Sequence, residues 1–417
     1  HVERSGVCHV LEAIRTSLKD GSYRPQPVRE VLIPKGGGKL RRLGIATLRD
    51  RIVQMALKCV LEPIFEPDQY VSSYAYRPGR RAQDAVAEIV HFVNSGYEWV
   101  IEGDVRACFD EIEHCLVIEQ VRTRITDRRV INMCKAFLRS GVLRELGRVE
   151  RSVTGTPQGG IVSPLFANLA LGAFDRHYQA VWADWSRYKR RRRYLRDRGH
   201  ATYRLVRYSD DFVVLVMGTR EQAEMLRDDA AERLGSIGLT LSTEKTLVTH
   251  VDDGFDFLGF HIVRRQRKRK RPCAYTFPTD ANLRRTKGKV KALTTRSTRH
   301  LGLEQVLRAI NPVLRGVAYY YRHAAAKRVL QHLARFAWWR VARWLQKKHA
   351  KRGWRWLKRR YRLWGPIHAD GVSLFDPGRV AIIRYYFRGR KIATPWNTEQ
   401  LEGYGAHYRH AYDERAD

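Results

Sequence analysis

The stretch "RYSDDFVVLV" at residues 207–216 sets two carboxylates, Asp210 and Asp211, side by side between apolar runs. "YRLV" stands just before the pair and "FVVLV" just after it, so both flanks have the pattern of strands buried in a sheet. Repulsion between like charges and the cost of taking them out of water both oppose that arrangement. Either the pair points into water at a turn, or a cation neutralises it.

Composition narrows the choice. The chain has 417 residues, 44% of them hydrophobic, with 10 Trp, 20 Tyr and 14 Phe. That is enough for packed cores in roughly two or three domains. Lys plus Arg number 78 against 43 for Asp plus Glu, a formal net charge of +35. An excess of that size points to a polyanionic partner, nucleic acid first. An anionic membrane is the weaker choice, because no apolar run approaches the ~20 residues a span needs and no signal-like segment opens the chain. No membrane partner is expected, and the location expected is cytoplasmic, in a bacterial cell the cytoplasm or nucleoid. Cysteines at 8, 59, 108, 115, 134 and 273 are irregularly spaced with no CxxC pair, which favours reduced thiols over zinc or disulfides. The first residue is His and a helix-like stretch follows almost at once, so an upstream segment is expected to be missing.

Outward from the acidic pair, helices and strands mix without a repeat, which predicts an α+β core with an antiparallel sheet. Residues 28–46 alternate like a hairpin around Gly36-Gly37-Gly38, 48–65 and 81–96 read as helices, and 98–114 begins as a strand. Helical patterns follow, then the loop "GTPQGGIVSP", another helix, a basic insertion, and a strand-turn-strand at 204–216. "RRQRKRKR" at 264–271 looks like a linker or a strand end facing phosphates. Beyond it the pattern is helical, with Asn311 read as an N-cap and Pro312 as the first helical position. From Gly365-Pro366 onward, short strands and turns predict a small further unit.

Asp104 follows the strand "WVIEG" and can meet Asp210 and Asp211 only if that strand pairs beside their hairpin. Three converging carboxylates would suit two Mg²⁺ ions about 3.5–4 Å apart, hard cations that prefer oxygen ligands. Taken singly, each Asp is as well explained by a turn or an arginine partner. Phe109 would lie near the same site, where an aromatic face can pack against a sugar carbon and leave no room for a 2′-hydroxyl; alone it reads as core. Gln158 in "GTPQGG" offers a polar contact beside glycines that allow close backbone approach, and the same stretch serves equally as a turn. Lys35 and Arg41 flank the glycine hairpin and could hold a triphosphate, or form a solvated basic edge. The runs "RYKRRRRYLRDR" at 187–198 and "RRQRKRKR" suit phosphate backbones, with a mobile solvated loop as the alternative for the first.

The ordered series "LIPKGGGKLRRLGIATLRDRIVQ", "SSYAYRPGRRAQDAV", "IEGDVRACFDEIEH", "GTPQGGIVSPLFANLAL", "RYSDDFVVLV", "LSTEKT" and "GFDFLGF" resembles the reverse transcriptases encoded by group II introns. "INPVLRGVAYYYRH" at 310–323 resembles their maturase domain, and the tail from 366 is similar to their small DNA-binding region. The resemblance implies a right-hand polymerase: fingers over 1–95, palm over 96–263 with 112–150 returning to the fingers, and a basic linker over 264–280. A helical thumb or maturase domain over 281–365 and a DNA-binding region over 366–417 would follow. It implies that Asp104, Asp210 and Asp211 bind two Mg²⁺ ions, that Phe109 screens the sugar, and that Lys35 and Arg41 hold the incoming dNTP. Gln158 would line the nucleotide site, Lys245 would protonate the leaving pyrophosphate, and Leu258-Gly259 would form part of the primer grip. The partners implied are group II intron RNA, an RNA template, and a DNA primer or target DNA, with splicing assistance and target-primed mobility as the role. Ser209 departs from the Ala usual in the family, and no Cys-rich nuclease module follows, so second-strand cutting is not expected. Two other readings use the same residues: a related polymerase domesticated for DNA repair or defence, and an RNA-binding splicing factor with little polymerase activity.

Overall fold

A computed structural model of the chain describes residues 6–396, except 36–38, 144–148, 151–152, 189, 243, 245, 268–269, 362 and 390–391. The chain divides into two compact units, one of residues 1–85, 99–248 and 388 onward, the other of 86–98 and 249–387.

The first unit opens with helix α1 (Val7–Lys19) and the antiparallel pair β1 (Val28–Lys35) and β2 (Lys39–Ile45), in a register that sets Ile33 opposite Arg41. Helix α2 (Leu48–Phe65) starts at Thr47, whose hydroxyl accepts the Asp50 amide and so satisfies a donor left open at the helix start. Then come α3 (Ala82–Asn94), which begins in this unit, β3 (Trp99–Asp104), the single turn α4 (Cys108–Glu111), α5 (His114–Arg122) and α6 (Arg128–Leu138). Strand β4 (Val142–Leu143) pairs in parallel with β1 and antiparallel with β5 (Val149–Glu150). The long helix α7 (Ser163–Arg187) and the short α8 (Arg191–Asp197) precede β6 (Thr202–Tyr208), β7 (Asp211–Met217) and α9 (Arg220–Gly235).

Strand β7 lies between β6 and β3 and is antiparallel to both. Residues Phe212 to Val216 are all buried, so both faces of this strand are covered and it reads as a continuous apolar run. The core beneath it joins Ile101, Leu205, Phe212 and Val214 to Phe166, Leu171 and Phe174 of α7 and Leu234 of α9. Within the basic run at 187–198, α8 forms and Arg192 lies 4.5 Å over the ring of Trp182.

After β8 (Leu247–His250), the second unit contains β9 (Phe255–Phe257), β10 (Phe260–Arg267) and β11 (Lys270–Pro278), ordered β11–β10–β9 and antiparallel. The helices α10 (Asp280–Ala292), α11 (Leu303–Tyr320), α12 (Lys327–Lys348) and α13 (Trp354–Tyr361) follow. Their core includes Val290, Leu307, Ile310, Leu314, Leu333, Val341, Trp344 and Leu357.

Three expectations are corrected here. Residues 264–280 are not a linker: β10 and β11 pair from Phe260↔Pro278 to Arg267↔Lys270. The charge run hid the strand because Arg264 is held by Asp252 and Glu98 while Ile262, Val263 and Ala274 are buried. Asn311 is not a cap, since α11 runs through Pro312 with Val306, Leu307, Ile310 and Leu314 buried on one stripe. Its side chain instead donates to the Ser373 carbonyl and accepts the Phe375 amide, both at 2.8 Å. Residues 366–387 are not a separate body either, for β12 (His368–Ala369) and β13 (Val372–Ser373) lie within the second unit, where Ile367 and Leu374 enter the helical core. No helix among the described residues is long and apolar enough to cross a membrane.

Candidate active site

The pairing of β3 with β7 sets Asp104, the last residue of one strand, directly opposite Asp211, the first of the other. Opposed residues of an antiparallel pair share a face with Cα atoms about 4.5–5.5 Å apart. Tyr208 faces Asp211 from the other side, and Asp210 stands in the two-residue turn between β6 and β7. The Val105 amide donates to the Asp210 carbonyl at 3.3 Å, and the Ser242 amide to the Asp104 carbonyl at 2.9 Å. Asp104 and Asp210 are half-buried, while Asp211 is exposed. At this end of the sheet the Cys108 thiol is pushed up to about 12, first by burial and next by the charge of Asp210. Among the described residues no group of three or more His, Cys, Asp or Glu side chains is disposed to hold a metal ion by itself.

The turn that carries Asp210 has an unusual support. Ser209 adopts φ 64° while Asp210 does not take a positive φ, the pattern of a type II′ hairpin turn, in which glycine is the usual first residue. A fully buried arginine, Arg207, holds it. One of its terminal nitrogens donates to the Ser209 carbonyl at 2.9 Å and to Asn168 Oδ1 at 3.2 Å, and its Nε donates to Asp175 Oδ1 at 2.8 Å. Asn168 and Asp175 are both buried on α7. Gly103 is required for a different reason: a Cβ there would lie 2.2 Å from Cζ of Phe212, whose ring covers the backbone next to Asp104. Gly103→Ala is expected to destabilise the first unit by roughly 1–3 kcal/mol, as overpacked cores are. Denaturant unfolding of the variant beside the parent checks it, and an unchanged midpoint would refute the close approach.

The glycine loop is stitched to both neighbours by backbone hydrogen bonds. The Thr156 amide donates to the carbonyl of Phe109, the Gly155 amide to that of Ile112, and the Gly44 amide of β2 to that of Gln158 at 2.8 Å. Gly155, at φ 80°, allows this because a Cβ would meet the Asp110 carbonyl oxygen at 2.6 Å. Phe109 is half-buried on α4, Gln158 is partly exposed, and Arg41 is exposed on β2. Loop, α4 and β2 therefore bring Gln158, Phe109 and Arg41 onto three segments bonded to one another. Lys35 is described only as the last position of β1, and Lys245 lies outside the described residues.

In the second unit, Leu258 and Gly259 form the turn between β9 and β10, with φ 50° and 77°. Both carbonyls are held from α11 and its cap, by the Tyr320 hydroxyl on Leu258 and the Tyr321 hydroxyl on Gly259, each at 2.8 Å. Beside this turn runs a cavity of about 730 Å³ lined by Asn282, Arg285, Lys289, Gly316, Tyr320 and Tyr321.

Residues 33–262 match the family model described as reverse transcriptase (RNA-dependent DNA polymerase). The chain belongs to the reverse transcriptase family. Residues 283–362 match the maturase-specific domain of group II introns, which places it among the reverse transcriptase/maturases of that kind. Protein YkfC of Escherichia coli (strain K12) is 37% identical over 274 residues, 61% of this chain and 72% of its own. The group II intron-encoded protein LtrA of Lactococcus lactis subsp. cremoris is 32% identical over 307 residues, 63% of this chain and 51% of its own. This chain thus spans about half the length of the second relative. A telomerase from Candida albicans in complex with a fragment of telomeric RNA is a distant likeness, with a TM-score of 0.44 and 12% identity over 78% of this chain and 60% of that one.

For a reverse transcriptase, the mixture of helices and antiparallel sheets followed by a helical part is the right-hand fold. Sequence reading missed the residues that support the turns: Arg207, Asn168 and Asp175 under Ser209, and Tyr320 and Tyr321 under Leu258-Gly259. A signal for the first group did exist. Arg207 is, with Arg204, one of two cations in a strand read as buried, and Asp175 is a lone acid in the apolar helix "LFANLALGAFDRHY".

Proposed function

We propose that this reverse transcriptase is an RNA-directed DNA polymerase that extends a DNA primer on an RNA template with dNTPs. We further propose that it binds group II intron RNA as a splicing maturase and supports intron mobility by target-primed reverse transcription. The observation that carries the polymerase reading is the register of Asp104 opposite Asp211 beside the turn holding Asp210. Three hard-oxygen donors at one sheet end suit Mg²⁺. A ready-made protein cage is not required, because Mg²⁺ usually takes one or two carboxylates and completes its shell with substrate phosphates and water. Asp104, Asp210 and Asp211 would hold two such ions, which supply Lewis acidity at the primer hydroxyl and the leaving pyrophosphate.

The remaining roles follow from chemistry at each position. Arg41 and Lys35 would bind the triphosphate, where a guanidinium offers paired donors and an ammonium a point charge. Phe109 would pack against the sugar and exclude a 2′-hydroxyl, Gln158 would line the nucleotide site, and Lys245 would give a proton to pyrophosphate. Leu258-Gly259 would grip the primer, and the Arg285 and Lys289 wall of the neighbouring cavity suits a phosphate backbone. The net charge of +35 supports an RNA partner of considerable length.

The test is primer extension by the purified full chain on an RNA template with dNTPs. Mg²⁺-dependent extension, lost in EDTA, is the expected result. If no divalent metal supports extension, the polymerase reading fails, and intron RNA binding is then measured on its own.

A further inference from the structure

We infer that Tyr76 is a positioning residue for Phe109 and, through it, for the sugar of the incoming nucleotide; the inference rests on the proposed role of Phe109. Tyr76 has φ 58°, a left-handed backbone that a bulky residue rarely adopts. It is 50% exposed, whereas Tyr74 and Ala75 are each 1% exposed and Arg77 8%. The residues on both sides are fixed. The Tyr74 amide donates to the Arg207 carbonyl at 2.9 Å, and Asn168 Nδ2 donates to the Ala75 carbonyl at 3.0 Å. The Arg77 guanidinium donates to the Glu66 carboxylate and to the carbonyls of Tyr70 and Ser73.

Strain that its surroundings over-determine tends to occur where a side chain must be aimed. Here the ring meets that of Phe109 edge to face, with centroids 6.5 Å apart and planes at 87°. The Tyr76 ring is half in water, on a backbone where glycine or asparagine would be easier, and it meets the residue assigned to the sugar edge to face.

The experiment measures kcat and KM of the full chain for a dNTP and the matching rNTP on an RNA template, in the parent and in Tyr76→Asn, Tyr76→Phe and Phe109→Ala. Asn accepts the left-handed backbone and removes the ring, so Tyr76→Asn should lower discrimination against the rNTP between about twofold and tenfold, the worth of one edge-to-face pair. The change should lie in the nucleotide KM. Tyr76→Phe should retain the parent ratio, since the contact is made by the ring. If Phe109→Ala lowers discrimination and Tyr76→Asn does not, the inference is overturned while the role of Phe109 stands. If Phe109→Ala leaves discrimination intact, the role of Phe109 fails and the inference goes with it. Should Tyr76→Asn not fold, Tyr76→Leu keeps bulk without an aromatic edge and is read the same way.

Discussion

Asp210→Asn is expected to reduce primer extension by roughly 10²–10³-fold or more, the scale on which removal of charge stabilisation at a reacting phosphate is felt. The substitution keeps size and hydrogen-bonding capacity, and it removes one negative charge from the sheet end that carries Asp104, Asp210 and Asp211. Stability should therefore hold or rise slightly, which separates a chemical defect from a folding defect. Binding of intron RNA should persist, because the basic surfaces lie elsewhere on the chain. Extension kinetics, thermal unfolding and RNA binding on the same preparation decide the matter. A variant that polymerises at the parent rate would remove Asp210 from the reaction.

Arg207→Met should have the largest effect on stability. It leaves the Asp175 carboxylate buried without its cation, and breaking a buried ion pair in that way costs roughly 3–5 kcal/mol. Adding Asp175→Leu removes the stranded charge, so the double variant should regain much of the loss in a denaturant melt. It should not regain polymerase activity to the same degree. The Ser209 carbonyl would still lack its donor, and the turn presenting Asp210 would be less tightly fixed. Equal recovery of stability and activity would show that the ion pair acts only as packing.

Much of the fold was legible because strong periodicities coincide with buried faces. The apolar run after Asp211 and the strand before Asp104 gave β7 and β3, and the distance between them in sequence left only the pairing to be found. Where charge overrode pattern, reading failed. Arg264 and its neighbours left the run at 264–271 readable as either a linker or a strand end, because the ion pairs to Asp252 and Glu98 that make an arginine tolerable there join residues remote in sequence. Proline misled in the same local way: Asn311-Pro312 has the form of a helix start, yet the stripe of Val306, Ile310 and Leu314 carries the helix through it. At the candidate site the residues that bear charge announce themselves by type and order. The residues that hold backbone carbonyls, Arg207, Tyr320 and Tyr321, do not, since a hydrogen bond to a carbonyl places no demand on the neighbouring sequence.

Ser209 illustrates a wider point about varying such a polymerase by design. Its φ of 64° means that handedness of the main chain, more than the chemistry of the side chain, governs what position 209 accepts. Valine and isoleucine, the substitutes of choice where a designer wishes to narrow a cleft, are the residues least at ease in that conformation. Attempts to retune fidelity or substrate range beside the acidic pair are better begun from glycine, asparagine or alanine at this position, with bulk introduced from a neighbouring strand.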